Sequence, residues 1–384
     1  MPSPYSLGIH SQAFISANLE RSTRFMVDDL GLRLVKRTVH PHDERIAVAH
    51  FGFADGGTDQ IVTYYEWNPI FYEFPADGFV DQETTKASLD DPQAGSPHGR
   101  WGAGTNHHLA LHTDSREQLL NWKRHLSDRG FHVTGPYFRN YFSAIYFNDP
   151  DGAIFEIATT EPGFGHDEAV LGSDYMKPPE EAVDRKERDI AAEVASEPHA
   201  DISAEMALRG FHHNTSVSSD IEAVTDFFVN RVGVDLIKMT DYLDAADATH
   251  YYYSATQEPR PGHVLTYFGF PGYPAGRLGV GLSHHIALTA RDEEALAEWR
   301  KALAGAEIEV GEIEDERYFS SVSFRDPDGH LYRIATPPYF TIDEAAGELG
   351  QKLCLPSELE SRRGEIEESL RLRPAPTPRR TAAA

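Results

Sequence analysis

Gly8-Ile-His-Ser-Gln-Ala13 and Leu30-Gly-Leu-Arg-Leu-Val-Lys36 match Gly210-Phe-His-His-Asn-Thr215 and Val232-Gly-Val-Asp-Leu-Ile-Lys238, always 202 positions apart and without a gap. A second unit repeats at 177 positions. In it, Asn106-His-His-Leu-Ala-Leu111 and Asp149-Pro-Asp-Gly-Ala-Ile-Phe-Glu-Ile-Ala-Thr159 match Ser283-His-His-Ile-Ala-Leu288 and Asp326-Pro-Asp-Gly-His-Leu-Tyr-Arg-Ile-Ala-Thr336. Two interleaved repeats make the chain four modules in the order A-B-A-B, and this internal symmetry dictates how everything else is read.

Each module reads as one strand, a helix and three further strands. In the second, His107 to Thr113 is a short apolar run of strand length. Ser115-Arg-Glu-Gln118 opens a helix as a capping box, Leu119, Leu120, Trp122 and Leu126 supply its buried side, and Gly130 ends it. Asp149-Pro-Asp-Gly152 is a tight turn between two strands. The expectation is an α+β chain of four βαβββ modules. Their bounds are 1–75, 101–164, 207–275 and 276–340, with an insertion at 76–100, a partly helical linker at 165–206 and a helical tail at 341–384.

Composition narrows the function classes. The 384 residues include 61 acidic against 35 basic side chains, a formal charge of −26. A field of that sign repels phosphate, which argues against nucleic acid and against an anionic membrane as partner. Eight lysines beside 27 arginines fit an acidic protein of an arginine-rich proteome, or a surface adapted to high salt. No apolar run approaches the roughly 20 residues that span a bilayer. The first nine residues lack the pattern of a secretory signal. With a single cysteine, Cys354, neither a disulfide framework nor a thiolate metal site is expected. The expected location is the cytoplasm, and a homo-oligomer is compatible with all of this.

Histidine pairs open three modules, at His107-His108, His212-His213 and His284-His285. Such pairs are more often structural than ligating. Glu156 changes the balance, because a lone carboxylate among the apolar residues of Ile154-Phe-Glu-Ile-Ala158 is costly unless it is paired or ligating. Two histidines and one carboxylate on a concave sheet make the facial triad of non-haem iron(II) oxygenases, with positions left open for substrate and oxygen.

The four-module layout, Gly210-Phe-His-His-Asn-Thr215, Phe155-Glu-Ile-Ala-Thr159 and the late stretch Gly350-Gln-Lys-Leu-Cys-Leu-Pro356 resemble the hydroquinone-type ring-cleaving dioxygenases of the vicinal-oxygen-chelate (glyoxalase-like) superfamily. The resemblance implies paired modules forming two curved sheets and Fe(II), with Mn(II) as alternative, held by His108, Glu156 and His213. It implies a small aromatic diol and dioxygen as reactants, and oxidative ring cleavage as the reaction. Tyr146 would be the acid–base group and Arg139 the stabiliser of anionic charge; Thr215, His107 and His212 would stand behind the ligands. Strand alternation puts Thr215 on the same face as His213, but His107 and His212 on the opposite one. Phe138, Phe142 and Phe268 are candidates for the cleft. A catechol-type dioxygenase, a metal-dependent isomerase of the same superfamily and a non-catalytic aromatic-binding member are the alternatives.

The matching positions of the other copies are degenerate. Ser11 stands for His213, Ala13 for Thr215, Glu316 for Arg139, Ser323 for Tyr146 and Arg333 for Glu156; His285 alone is retained, matching His108. If neighbouring modules pair, both sites are broken unless a register shift recruits His10. If the first pairs with the fourth and the second with the third, one site is complete and the site of Ser11, His285 and Arg333 is not. The second arrangement is expected, with one metal per chain.

Overall fold

The computed structural model describes residues 6–53, 59–66, 98–178, 191–255 and 259–371. The first module supplies β1 (Ser6–Ser16), α1 (Leu19–Arg24), β2 (Arg33–His40), β3 (Asp43–Gly52) and β4 (Ile61–Glu66). The second supplies β5 (Asn106–His112), α2 (Arg116–Asp128), β6 (Thr134–Phe138), β7 (Ser143–Asn148) and β8 (Ile154–Ala158), followed by a two-residue strand, β9 (Tyr175–Met176). The third contains β10 (Phe211–Ser218), α3 (Ile221–Asp226), β11 (Asp235–Asp241), β12 (Thr249–Ser254) and β13 (Val264–Gly269). The fourth contains β14 (Ser283–Ala290), α4 (Glu293–Gly305), β15 (Glu314–Asp315), β16 (Ser320–Arg325) and β17 (Leu331–Ala335), and α5 (Arg363–Arg371) comes near the end. Among the described residues, no helix is long and apolar enough to cross a membrane.

Two sheets result, and the pairing is crossed. One runs β15-β16-β17-β14-β1-β4-β3-β2, joining the fourth module to the first; the other runs β6-β7-β8-β5-β10-β13-β12-β11-β9, joining the second to the third. The antiparallel seams are β1 with β14 and β10 with β5. Buried amides tie the seams together: Gln12 Nε2 donates to Asn106 Oδ1 at 2.6 Å, and Asn214 Nδ2 donates to Gln12 Oε1 at 2.9 Å. Left unpaired, each of these groups would cost about 1–3 kcal/mol, so they fix how the two seams lie against one another.

Neighbouring modules meet through their helical sides instead. Phe14 stacks on Phe155 at 5.1 Å, and Phe25 meets Phe155 edge-on at 5.6 Å. The Asp-Pro-Asp-Gly turns do more than reverse the chain. Asp149 accepts from Tyr64 Oη at 2.9 Å, and Asp326 accepts from Tyr267 Oη at 2.7 Å, so each turn is bolted to the A module before it. The Leu-Gly31 and Val-Gly233 matches are helix ends: both glycines take positive φ, and a Cβ on Gly31 would lie 2.8 Å from Ile202 Cδ1.

A second repeated device locks each sheet. Lys238 donates to Asp167 and Glu168, both at 2.7 Å, and Lys36 contacts Asp343 and Glu344 in the same way. Both ammonium groups are fully buried, and each lies about 5 Å above a tyrosine ring, Tyr141 for Lys238 and Tyr318 for Lys36.

Of the linker expected at 165–206, residues 179–190 lie outside the described residues. Its described residues, 165–178 and 191–206, carry no helix, and α2 side chains bond several of the carbonyls there and at Met206. Trp122 Nε1 donates to Met206 O at 2.7 Å, Lys123 Nζ to Glu193 O at 2.9 Å, and His125 Nδ1 pairs with His199 O at 2.6 Å. Leu120 is half-buried rather than core. Most of the expected insertion, up to residue 97, and the tail beyond 371 lie outside the described residues.

Candidate metal centre

Three adjacent strands, β8, β5 and β10, bring Glu156, His108 and His213 together. Ala110 is the hub: it sits opposite Glu156 on one side and opposite His213 on the other, and His108 precedes it by two residues on the same face. His108 Nε2 is 2.8 Å from Glu156 Oε2 and 3.3 Å from His213 Nε2, and His213 Nε2 is 3.7 Å from Glu156 Oε2. Donor atoms held at about 2.1 Å from one cation in neighbouring octahedral positions lie about 3 Å apart, so these three residues fit a shared metal ion.

The electrostatics point the same way. All three side chains are buried, and the Glu156 carboxylate has only a loose hydrogen bond from Tyr146 to share its charge. Burial raises the Glu156 carboxyl above its ordinary range, against the pull of His213 and Arg139. Burial, seconded by Arg139, pushes His108 down to about 3, and burial holds His213 well below 6.5 although Glu156 opposes it. Neutral imidazoles keep a lone pair to offer, and a dication would satisfy the stranded carboxylate.

Tyr146 stands across the ladder from Glu156, its ring 5.7 Å from that of His108. Arg139 Nε donates to Tyr146 Oη at 3.0 Å, and its Nη1 donates to Asp244 Oδ2 at 2.7 Å. Burial keeps the Tyr146 phenol well above 10, with Arg139 opposing. Thr215 Oγ1 lies 2.9 Å from His108 Nε2. Phe142 and Phe268 line the cavity over the three residues, with Tyr242 and Tyr252; Phe138 does not.

Strict alternation fails at His107 and His212. The ladder passes from Thr215–His108 to Ser216–Asn106 and from Phe211–Leu111 to His213–Ala110, so each first histidine is the extra residue of a bulge. Both therefore turn toward their neighbours instead of the opposite face. His107 Nδ1 is 2.7 Å from His108 Nδ1, and His212 Nδ1 is 2.8 Å from His213 Nδ1.

Sequence reasoning missed His250. It lines the cavity with His108, Glu156 and His213, 4.5 Å from the Phe268 ring. Its ladder position corresponds to Val48 in the first module, so the copies differ there. That difference was the available signal. Asp244, which anchors Arg139, was also missed, because it lies in a hairpin that does not match between the copies.

The other sheet carries the same positions with the charges exchanged. Arg333 takes the place of Glu156, Glu316 that of Arg139, and the two form a buried ion pair, Nη1 to Oε1 at 2.5 Å. Ser321 Oγ also donates to Glu316, at 3.1 Å. His285 is buried nearby, its pKa held down by burial and then by Arg333. His10 lies in this sheet, 5.0 Å from Phe319, and Ser11 Oγ is 3.0 Å from its Nδ1, so the register shift that would recruit it to Glu156 does not occur. Among the described residues one other cluster has metal-ligand composition, Asp343, Glu344 and Cys354, and the Lys36 ammonium fills its centre.

Comparison with known proteins places this geometry in context. The chain is 26% identical over 372 residues, covering 95% of it and 96% of the relative, to MhqO of Bacillus subtilis, whose name assigns it provisionally as a ring-cleaving dioxygenase. It is 22% identical over 361 residues, 94% of each chain, to the chlorohydroquinone/hydroquinone 1,2-dioxygenase of Sphingobium indicum. A crystal structure from Bacillus subtilis, provisionally described as a dioxygenase, superposes with a TM-score of 0.69 at 24% identity over 95% of this chain and 97% of that one. The model of the Glyoxalase/Bleomycin resistance protein/Dioxygenase superfamily matches residues 8–157 and 210–334, and the chain belongs to that superfamily.

Proposed function

We propose that the chain holds one iron(II) ion through His108, Glu156 and His213 and cleaves the ring of a hydroquinone-like aromatic diol with dioxygen. The observation that carries this reading is the buried Glu156 carboxylate, only loosely held by Tyr146, within 3.7 Å of two neutral imidazoles. The names of the ring-cleaving relatives support it. When bound, the metal supplies open positions at which a diol oxygen and dioxygen can meet.

The protein's own groups do the rest. Phe142, Phe268 and Tyr242 wall the cavity with aromatic surface against which a flat ring packs. Tyr146, kept protonated by burial, is placed to exchange a proton with a phenolic oxygen. Arg139 holds positive charge beside it, aimed by Asp244 from the far side.

Oxygen uptake by protein reconstituted anaerobically with iron(II), compared on hydroquinones and catechols, tests the proposal. Uptake with hydroquinones and ring-opened product is expected. Preference for catechols would move the chain to the catechol-type reading, and metal binding without uptake on any diol would leave it a binding protein.

A further inference from the structure

The sheet that carries Arg333 has no candidate metal cluster, yet it has the cavity. Thr240, His250, Phe268, Arg139 and Phe142 line the space over His108, Glu156 and His213. Thr38, Val48, Tyr65, Glu316 and Phe319 occupy the same places in the other sheet, and all five line a cavity of about 480 Å3 there. The ladders fix the match: Thr38 faces Val48 and Val48 faces Tyr65, as Thr240 faces His250 and His250 faces Phe268. Glu316 N donates to Phe319 O at 2.9 Å, repeating the turn in which Arg139 N donates to Phe142 O at 2.7 Å. Smaller side chains make the second cavity the wider one, with Val48 in place of His250 and Ser323 in place of Tyr146. The chain after β17 walls it from outside: Thr38 Oγ1 donates to Cys354 O at 2.8 Å, and Ile342 and Pro356 reach the lining. Small-molecule sites typically enclose about 300–1,000 Å3, so the space suits a ligand of one ring.

The charge of this cavity decides which ligand. Where Arg139 presents a cation in one sheet, Glu316 presents a carboxylate in the other, and Arg333 behind it balances that charge. Asp343 in the lining is balanced by Lys36 and Arg317. Arg317 is the one cation of the lining among the described residues, and its guanidinium is already committed. It donates to Asp343 Oδ2 and Leu355 O, both at 2.7 Å, and lies 5.3 Å over the Tyr318 ring. The exposed rim adds Asp315 and Glu358. Among the described residues, their carboxylates accept only from the Arg317 amide and the Ser357 hydroxyl. The remaining walls are rings: Tyr65, Tyr318, Phe319 and His50, which burial pushes down to about 3 and so keeps neutral. Aromatic faces below unbalanced carboxylates attract an organic cation and offer an anion nothing.

We propose that this second cavity binds a small aromatic ammonium compound, its ring against Phe319 and Tyr65 and its charge toward Asp315 and Glu358. Binding there needs no metal and is separate from the reaction at the other sheet.

The test is calorimetric titration of the full-length, metal-free chain with phenethylamine, 2-phenylethanol and phenylacetate. Each is a ring on a short chain; at neutral pH the first is a cation, the second uncharged and the third an anion. One phenethylamine per chain should bind, roughly tenfold more tightly than the alcohol, and phenylacetate should not saturate. Glu358→Gln and Asp315→Asn should each weaken phenethylamine roughly two- to fivefold and leave the alcohol unchanged, since both side chains are exposed and act only through charge. Val48→Trp fills the cavity and should weaken cation and alcohol alike by roughly tenfold or more, while zinc(II) content stays that of wild type. Phenylacetate binding as tightly as phenethylamine, or no saturable binding of phenethylamine, overturns the proposal. Binding that survives in folded Val48→Trp but is displaced by zinc(II) places the ligand at the His108–Glu156–His213 cluster and also overturns it. Should Val48→Trp fail to fold, the rim variants decide, and wild-type affinity for phenethylamine in both of them is the refuting result.

Discussion

Replacing Glu156 with glutamine should change stability in opposite directions depending on whether metal is present. In the metal-free protein the carboxylate is fully buried and receives no well-formed hydrogen bond, although His108 Nε2 is 2.8 Å away. Two lone-pair-bearing groups face one another there, and one of them must take up a proton for the contact to be favourable. An amide in the same place donates from its NH2 group to the His108 lone pair and carries no charge to desolvate. Relieving one buried unsatisfied group is worth about 1–3 kcal/mol, so metal-free Glu156→Gln should melt a few degrees above wild type. With metal at about a hundred times its dissociation constant, wild type gains about 2.7 kcal/mol, and the variant, lacking an anionic ligand, gains little of it. The two melting curves should therefore exchange order on addition of iron(II) or zinc(II). Thermal scans of apo and loaded protein with a chelator control measure this directly. A Glu156→Gln variant that is less stable than wild type without metal would mean that the carboxylate holds the fold together, and the metal-site reading would lose its central observation.

Metal analysis after anaerobic reconstitution should find one ion per chain, since the Arg333–Glu316 pair occupies the equivalent place in the other sheet; two tightly held ions would contradict this. Tyr146→Phe and Arg139→Ala should lower turnover by roughly ten- to a thousandfold while metal stays bound, and full activity of both variants on every diol would remove Tyr146 and Arg139 from the mechanism. His213→Ala should abolish iron binding or activity, whereas Ser11→Ala, in the other sheet, should be nearly silent in both assays. For acid stability, Lys238 and the backbone amides of Gly172 and Asp174 hold Glu168 down from its ordinary 4.5 to about 2 despite its partial burial. A depressed carboxyl stabilises above its unfolded pKa and loses that contribution as pH falls, here between about 4.5 and 2. Lys238→Met should flatten that limb of the pH-stability curve, and an unchanged limb would show that the clamp does not couple to folding.

The fold was legible because duplication writes the same pattern twice. Gap-free repeats at Gly8–Lys36 and Asn106–Thr159 gave element order without any need to decide each strand on propensity, and exclusion of the broken residues gave the crossed pairing. The grouping of His108, Glu156 and His213 was what the resemblance to ring-cleaving dioxygenases implied, and the three lie together in the structure. What stayed hidden was whatever breaks the repeat or the period. His107 and His212 defied alternation because a bulge adds one residue, and a sequence carries no mark of the partner strand that makes the bulge. His250 and Asp244 belong to a hairpin that differs between copies, and their neighbours, Phe268 and Arg139, are set by distant ladders.

The exchanged charges of Arg333 and Glu316 also bear on what this chain can become. Restoring a ligand at Arg333 alone would set two carboxylates side by side in a buried pocket, and restoring the cation at Glu316 alone would set two guanidinium groups there. Either single step breaks a buried pair, typically at a cost of about 3–5 kcal/mol, a large part of the stability of an ordinary domain. Each step back is harmful by itself and tolerable only with the other, so the path runs through a valley that selection does not readily cross. The sheet that carries Arg333 is held in its present state by its own ion pair, and single substitutions reach variants of the His108–Glu156–His213 cluster far more easily than a second such cluster.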